Sequence, residues 1–397
     1  MAEMKPEYDF DTLTDRRHAG ASKWEIMYAK KPSVGEGIVP LSVADMEFSV
    51  APEIKAALRD FVDRQIPGYA TAPKGFNEAV CAFLKRRHGL DVAPEMLVQT
   101  PGIVYALSRA IRAVTERGDG VIIMTPVYYP FYRAVRNTGR QVAACPLVYE
   151  NGVYSIDFDL LEALAEKREN TALLLCSPHN PVGRVWTEGE VRRMGEICEK
   201  HGLFVIADEI HFDLVFPGHP HFSFGALDGP VAARTILCTA PSKTFNLAGM
   251  NLSNLVVRDD ALREKLHRIL WEDGTPCQSP FGFVACKAAY EQGEAWLEAL
   301  LAYLDGNRRF VEDYIRDHIP RLHAVPLEGT YLQWIDCTAL GLSEDALEEL
   351  MVEHDLFTDE GYLFGEEGAG FERINLACPR AVLEGAMERL KAAVESV

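Results

Sequence analysis

Through the middle of the chain, short apolar runs alternate with helical patterns. The runs 121–125, 172–176, 203–207, 235–239 and 254–257 are each four or five residues long, and several are rich in Val, Ile or Leu. Unbroken apolar runs of this length fit strands buried on both faces. Between two of them, Val191, Met194, Ile197 and Cys198 recur at helical spacing, and Gly202 supplies a stop. Strand–helix–strand alternation predicts a mostly parallel α/β sheet. Further on, amphipathic stretches at 295–319, 346–354 and 381–397 flank short apolar segments at 330–336 and 373–377. That pattern predicts a smaller α+β domain.

Length agrees with two units, because single cores usually stop growing beyond roughly 250–300 residues and this chain has 397. At 48% hydrophobic and 25% charged it is neither disordered nor collagen-like. Its 40 Lys+Arg against 59 Asp+Glu give a net charge of −19, which argues against nucleic acid and anionic membranes as partners. The one short basic run, Lys85-Arg-Arg-His88, reads as a solvated helix end. Nine cysteines, an odd number without a CxxC pair, argue against a disulfide framework and favour a reducing compartment. Residues 1–10 lack the apolar stretch of a secretory signal. No apolar run approaches the ~20 residues of a membrane span. A cytoplasmic location is expected.

Open α/β sheets bind ligands beyond the carboxyl ends of their strands. Ser177-Pro-His-Asn-Pro-Val-Gly183 follows one run, Asp208-Glu-Ile-His211 the next, and Ala240-Pro-Ser-Lys-Thr-Phe245 a third. Asn180, Asp208 and Lys243 therefore sit at three strand ends, 28 and 35 residues apart. Such a trio suits pyridoxal phosphate. A lysine can attach to its aldehyde, an acid can hold the proton on the ring nitrogen, and an amide can donate to the ring oxygen. Tyr128, after another strand end, can stack on the ring. Pro101-Gly102 opens a helix with Ile103, Leu107, Ile111 and Val114 on one face, and its first N–H groups suit a phosphate. Each feature alone has a plainer reading as a surface lysine, an N-cap or a turn. His219-Pro-His221 lacks zinc spacing and reads as a surface loop, so no metal is expected. Trp271 and Trp296 read as core or dimer contacts.

Together, Ser177–Gly183, Ala207-Asp-Glu-Ile-His211, Pro241-Ser-Lys-Thr-Phe-Asn246 and Phe371-Glu-Arg-Ile-Asn-Leu-Ala-Cys-Pro379 resemble the signatures of pyridoxal-phosphate enzymes of the class I/II aminotransferase superfamily (fold type I). Val43-Ala-Asp-Met-Glu-Phe48, Ser242-Lys-Thr-Phe-Asn-Leu-Ala-Gly249 and Gly365-Glu-Glu-Gly368 most resemble its cystathionine β-lyase branch, the MalY/PatB family of C–S lyases. The resemblance implies a large cofactor domain over 46–288 and a small domain from 1–45 with 289–397. Lys243 would tether the cofactor and remove the substrate Cα proton. Asp208 would pair with the ring N–H, and Asn180 and His211 would face the ring oxygen. Gly102, Ile103, Val104 and Ser242 would serve the phosphate, with Thr239 near them. Tyr69 would reach the phosphate of the other subunit in a homodimer, and Arg373 would fork the α-carboxylate of an amino-acid substrate.

Many aminotransferases carry an Arg eight residues after the lysine; here that residue is Asn251. The lyase branch commonly lacks that Arg too. Ile103 replaces a frequent hydroxyl residue. The implied activity is α,β-elimination from L-cystathionine or a related sulfur amino acid, giving a thiol, pyruvate and ammonia. Two alternatives are an aminotransferase and a regulatory binding protein that keeps the fold.

Overall fold

A computed structural model of the chain describes residues 8–274 and 278–397. The first seven residues of the N-terminal reading above, and Cys277, lie outside them. The large sheet has seven strands, in the spatial order Leu97–Thr100, Ser253–Val257, Thr235–Thr239, Phe204–Asp208, Asn170–Cys176, Gly120–Thr125 and Gln141–Pro146. Six run in one direction; Ser253–Val257 is antiparallel to both its neighbours. The mostly parallel α/β architecture is thus as expected. The five apolar runs match five of these strands to within a residue or two.

Side chains alternate across the sheet. Leu173, Leu175, Val205, Ala207 and Leu237 enter the core on one face. Ala172, Leu174, Ile206, Ile236 and Cys238 enter the core on the other. Neither face meets water, which is why these strands carry apolar residues at consecutive positions. Helix Ile103–Val114 covers the second face with Leu107, Ala110, Ile111 and Val114. Helix Glu188–His201 lies on the first. It begins with a capping box between Thr187 and Glu190 and ends at Gly202, whose φ of 70° few other residues adopt without strain.

The C-terminal part forms a four-stranded antiparallel sheet in the order His323–Ala324, Leu332–Asp336, Phe371–Asn375, Asp359–Glu360. Helices Glu294–His318 and Arg380–Glu395 pack together beside it. The N-terminal segment packs here as well. Leu41 N–H donates to Phe357 O, Asn375 N–H donates to Leu41 O (both 2.8 Å), and Trp24, Met27 and Val39 share a core with Phe357.

Two readings need correction. Lys85–His88 does end a helix, Phe76–His88, but Arg87 and His88 are turned inward onto the buried Asp213. His221 is not on a surface loop. Its side chain is buried, 3.3 Å from Ser177 Oγ and 3.7 Å from Glu209. Trp296 is core, whereas Trp271 is 73% exposed. All eight described cysteines are free. Among the described residues no helix is long and apolar enough to cross a membrane.

Candidate active site

Register brings the three predicted strand ends level. Cys176 pairs with Asp208, and Asp208 pairs with Cys238. The segments beginning at Ser177, Glu209 and Ala240 therefore leave the sheet side by side. Lys243 stands on the short helical turn Pro241–Thr244 that follows.

Lys243 is half-buried, and its Nζ donates to Ala44 O at 2.7 Å. Burial lowers its pKa to about 8, against the pull of Asp45. Ala44 belongs to the Val43–Phe48 motif, which Asn246 bolts to the lysine's segment. Asn246 accepts from Met46 N–H and donates to the carbonyls of Met46 and Phe48. Tyr331 Oη also donates to Ala44 O, at 2.8 Å.

Asp208 is buried with one long hydrogen bond, from Ile210 N–H at 3.4 Å. Burial pushes its carboxyl up to about 7. Such a group becomes a stable anion only if a cationic donor reaches it. His211 is buried with Nδ1 unpaired among the described residues, and burial, followed by the charges of Lys243 and Arg373, lowers its pKa well below 6.5. Asn180 is buried and accepts from Arg373 Nη1 at 2.8 Å, while its amide nitrogen bonds to none of the described residues. Tyr128 lies close by, its N–H on Asn180 O at 3.0 Å, and burial raises its hydroxyl pKa.

Arg373 is almost fully buried. Besides Asn180 it pairs with Asp359, and its guanidinium lies 4.6 Å from the Phe364 ring centre. Its Nε has no partner among the described residues. Asp359, which also accepts from Val43 N–H at 3.0 Å, is a site residue that sequence reasoning missed. No local pattern marks it, because the pairing rests on contact between two short strands of the small sheet.

Gly102 precedes helix Ile103–Val114 with φ 88° and ψ 161°, a conformation essentially confined to glycine. One expectation changes here. Gly102 N–H is already given to Thr100 O at 2.9 Å, so the helix start offers Ile103 and Val104 rather than all three amides. Thr239 is likewise committed, its hydroxyl on Asn254 O. Asn251 lies beside Gly102: a Cβ on that glycine would come within 3.9 Å of the Asn251 amide oxygen. Ser242 neighbours Lys243 on its turn. Tyr69 stands apart from this group and is fully exposed, between helices Pro52–Arg64 and Phe76–His88.

Comparison with known proteins agrees with this geometry. The family model described as aminotransferase class I and II matches residues 36–390. The chain is 36% identical over 392 residues to cystathionine β-lyase PatB of Bacillus subtilis (strain 168), covering 97% of this chain and 100% of that one. Against protein MalY of Escherichia coli (strain K12) identity is 32% over 393 residues, covering 98% and 100%. The crystal structure of cystalysin from Treponema denticola, which contains a pyridoxal 5'-phosphate cofactor, is similar with a TM-score of 0.96 and 43% identity, covering 98% of this chain and 100% of that one. With its fold, its strand-end residues and its sequence in agreement, the chain belongs to the class I and II aminotransferase family.

Proposed function

We propose that the protein is a pyridoxal-phosphate-dependent C–S β-lyase. It acts on L-cystathionine or a related sulfur amino acid and releases a thiol (homocysteine from cystathionine), pyruvate and ammonia. The observation that carries this reading is the convergence of a half-buried amine, a buried carboxyl and a buried guanidinium, in Lys243, Asp208 and Arg373, that do not pair off with one another.

The residues fit the cofactor. Asp208 lacks the donors a buried carboxylate needs, and the ring N–H is such a donor. The free amide nitrogen of Asn180 and the unpaired Nδ1 of His211 suit the ring oxygen. Ile103 and Val104 amides at the helix start, with Ser242, suit the phosphate. Tyr128 covers the ring. Bound there, pyridoxal phosphate supplies an aldehyde that captures amines and a protonated ring that stores the electron pair left at Cα.

The chain's own residues do the rest. Arg373 holds the α-carboxylate, with Asp359 and Asn180 fixing the fork. Lys243 Nζ takes the Cα proton, and desolvation, which favours its neutral form, suits it to do so. Asp208 keeps the ring nitrogen protonated. Tyr69 serves the neighbouring site of a homodimer. Support for that comes from the exposed apolar side chains in this stretch of the chain, Val62 at 62%, Ile66 at 88% and Tyr69 at 100%. The described residues of 46–288 form the cofactor domain, and those of 1–45 with 289–397 the small domain. The site acts on a small amino acid in the cytoplasm.

The test is product analysis. The cofactor-loaded protein should release pyruvate and free thiol from L-cystathionine with no keto acid added, and Lys243→Ala should abolish release. Turnover that requires a keto acid would mean an aminotransferase instead.

A further inference from the structure

Asp213 lies five residues beyond Asp208, and its carboxylate is fully buried. Its Oδ1 accepts from His88 Nε2 at 2.9 Å and Arg87 Nε at 3.2 Å. Its Oδ2 accepts from Thr244 Oγ1 at 2.7 Å. Thr244 directly follows Lys243. The hydroxyls of Thr115, Thr138 and Thr235 close onto carbonyls four residues back in their own segments. Thr244 instead donates across 31 residues to a charged group.

A buried carboxylate is costly unless other charges and donors compensate it. Here the compensation comes from the end of helix Phe76–His88. Arg87 reaches outward as well, to Glu298 at 2.6 Å and Glu294 at 3.3 Å. The His88 ring lies flat on Phe212, 3.9 Å between centres and 5° between planes. Three elements therefore meet at one carboxylate: the helix end, the segment bearing Asp208 and His211, and the turn bearing Lys243. The turn spans only Pro241–Thr244, with Phe245 N–H on Pro241 O and Leu247 N–H on Ser242 O at 3.0 Å each. Those bonds hold the turn together, but none of them ties it to the Asp208 segment. The Thr244–Asp213 bond does.

We propose that Asp213 is a positioning residue that acts through Thr244 to set the direction of Lys243 relative to Asp208, with Arg87 as its counter-charge and the His88 ring as a further donor. This rests on Lys243 bearing the cofactor. The bond is made to a charged group, the stronger kind of hydrogen bond, whose loss corresponds to roughly a tenfold or larger change in rate. If that bond holds the lysine in its working direction, removing it slows the lysine's proton transfer and leaves carboxylate binding at Arg373 alone.

The test uses the cofactor-loaded protein and Thr244→Val, which keeps shape and removes the hydroxyl. The expected result is kcat lowered about tenfold or more with KM within about twofold, from the loss of that bond. The pH midpoint of the cofactor's visible absorbance should shift, and borohydride should attach the cofactor at position 243 more slowly than in the parent. Thr244→Ser should restore all three. Asp213→Asn, which weakens the same bond, should behave as Thr244→Val. A lower Tm in Thr244→Val with kcat, midpoint and attachment rate unchanged would make the contact purely structural and overturn the proposal, as would parental values in Asp213→Asn. A Thr244→Ser protein that fails to recover also overturns it. If the parent itself attaches no cofactor at position 243, the reading of the whole site fails rather than this inference.

Discussion

Substitution of Arg373 by lysine tests the substrate end of the site and keeps its charge. In the parent, the guanidinium donates through Nη1 to Asn180 at 2.8 Å and through Nη2 to Asp359, above the Phe364 ring. A lysine ammonium can pair with Asp359, but it cannot also hold Asn180 and present a planar fork to a carboxylate. Charged hydrogen bonds contribute about 1.5–3 kcal/mol each. Loss of one at the substrate carboxylate should lower kcat/KM by roughly 10- to 150-fold, at 1.36 kcal/mol per tenfold. Removing the charge altogether would be harder to interpret. Breaking a buried pair costs about 3–5 kcal/mol of stability, and Asp359 would keep only the Val43 N–H. Pyruvate release measured against substrate concentration reads the effect, which should fall mainly on KM, and the visible absorbance of the loaded protein should persist. A kcat/KM within twofold of the parent would refute carboxylate binding by Arg373.

Two further predictions concern Asp208 and Tyr69. Burial raises the folded-state pKa of Asp208 from 3.8 to about 7, so the folded cofactor-free chain holds a proton that the unfolded chain releases. That contribution to stability is full below about pH 4 and is lost as pH rises to about 7. The Tm of cofactor-free Asp208→Asn should therefore fall less than the parent's between pH 5 and pH 7; parallel curves would contradict the assignment. Mixing Tyr69→Phe with Lys243→Ala protomers should regenerate some intact sites in mixed dimers, seen as pyruvate release above either parent variant alone, and no recovery would argue against a shared site.

The large sheet was legible in the sequence where its strands are buried on both faces, because those strands must be apolar at consecutive positions. The two edge strands were not. Gln141–Pro146 has one buried residue among mostly half-buried ones, and Leu97–Thr100 is only four residues long. The antiparallel direction of Ser253–Val257 was also hidden, since burial alone does not encode direction. Asn180, Asp208 and Lys243 were found because strand ends can be read along the chain. Asp359 and Asp213 were missed because their roles exist only across long separations. Arg87 and Asp213 are 126 residues apart, and no local pattern distinguishes that arginine from a solvated one. The same holds for His221, whose burial depends on segments around Ser177 and Glu209.

The most direct measurement is to load the protein with pyridoxal phosphate, reduce it with borohydride and map the modified peptide. A single adduct on Lys243, absent from Lys243→Ala, is the result expected. A protein that takes up no cofactor at saturation, or carries its adduct on another lysine, would contradict the account.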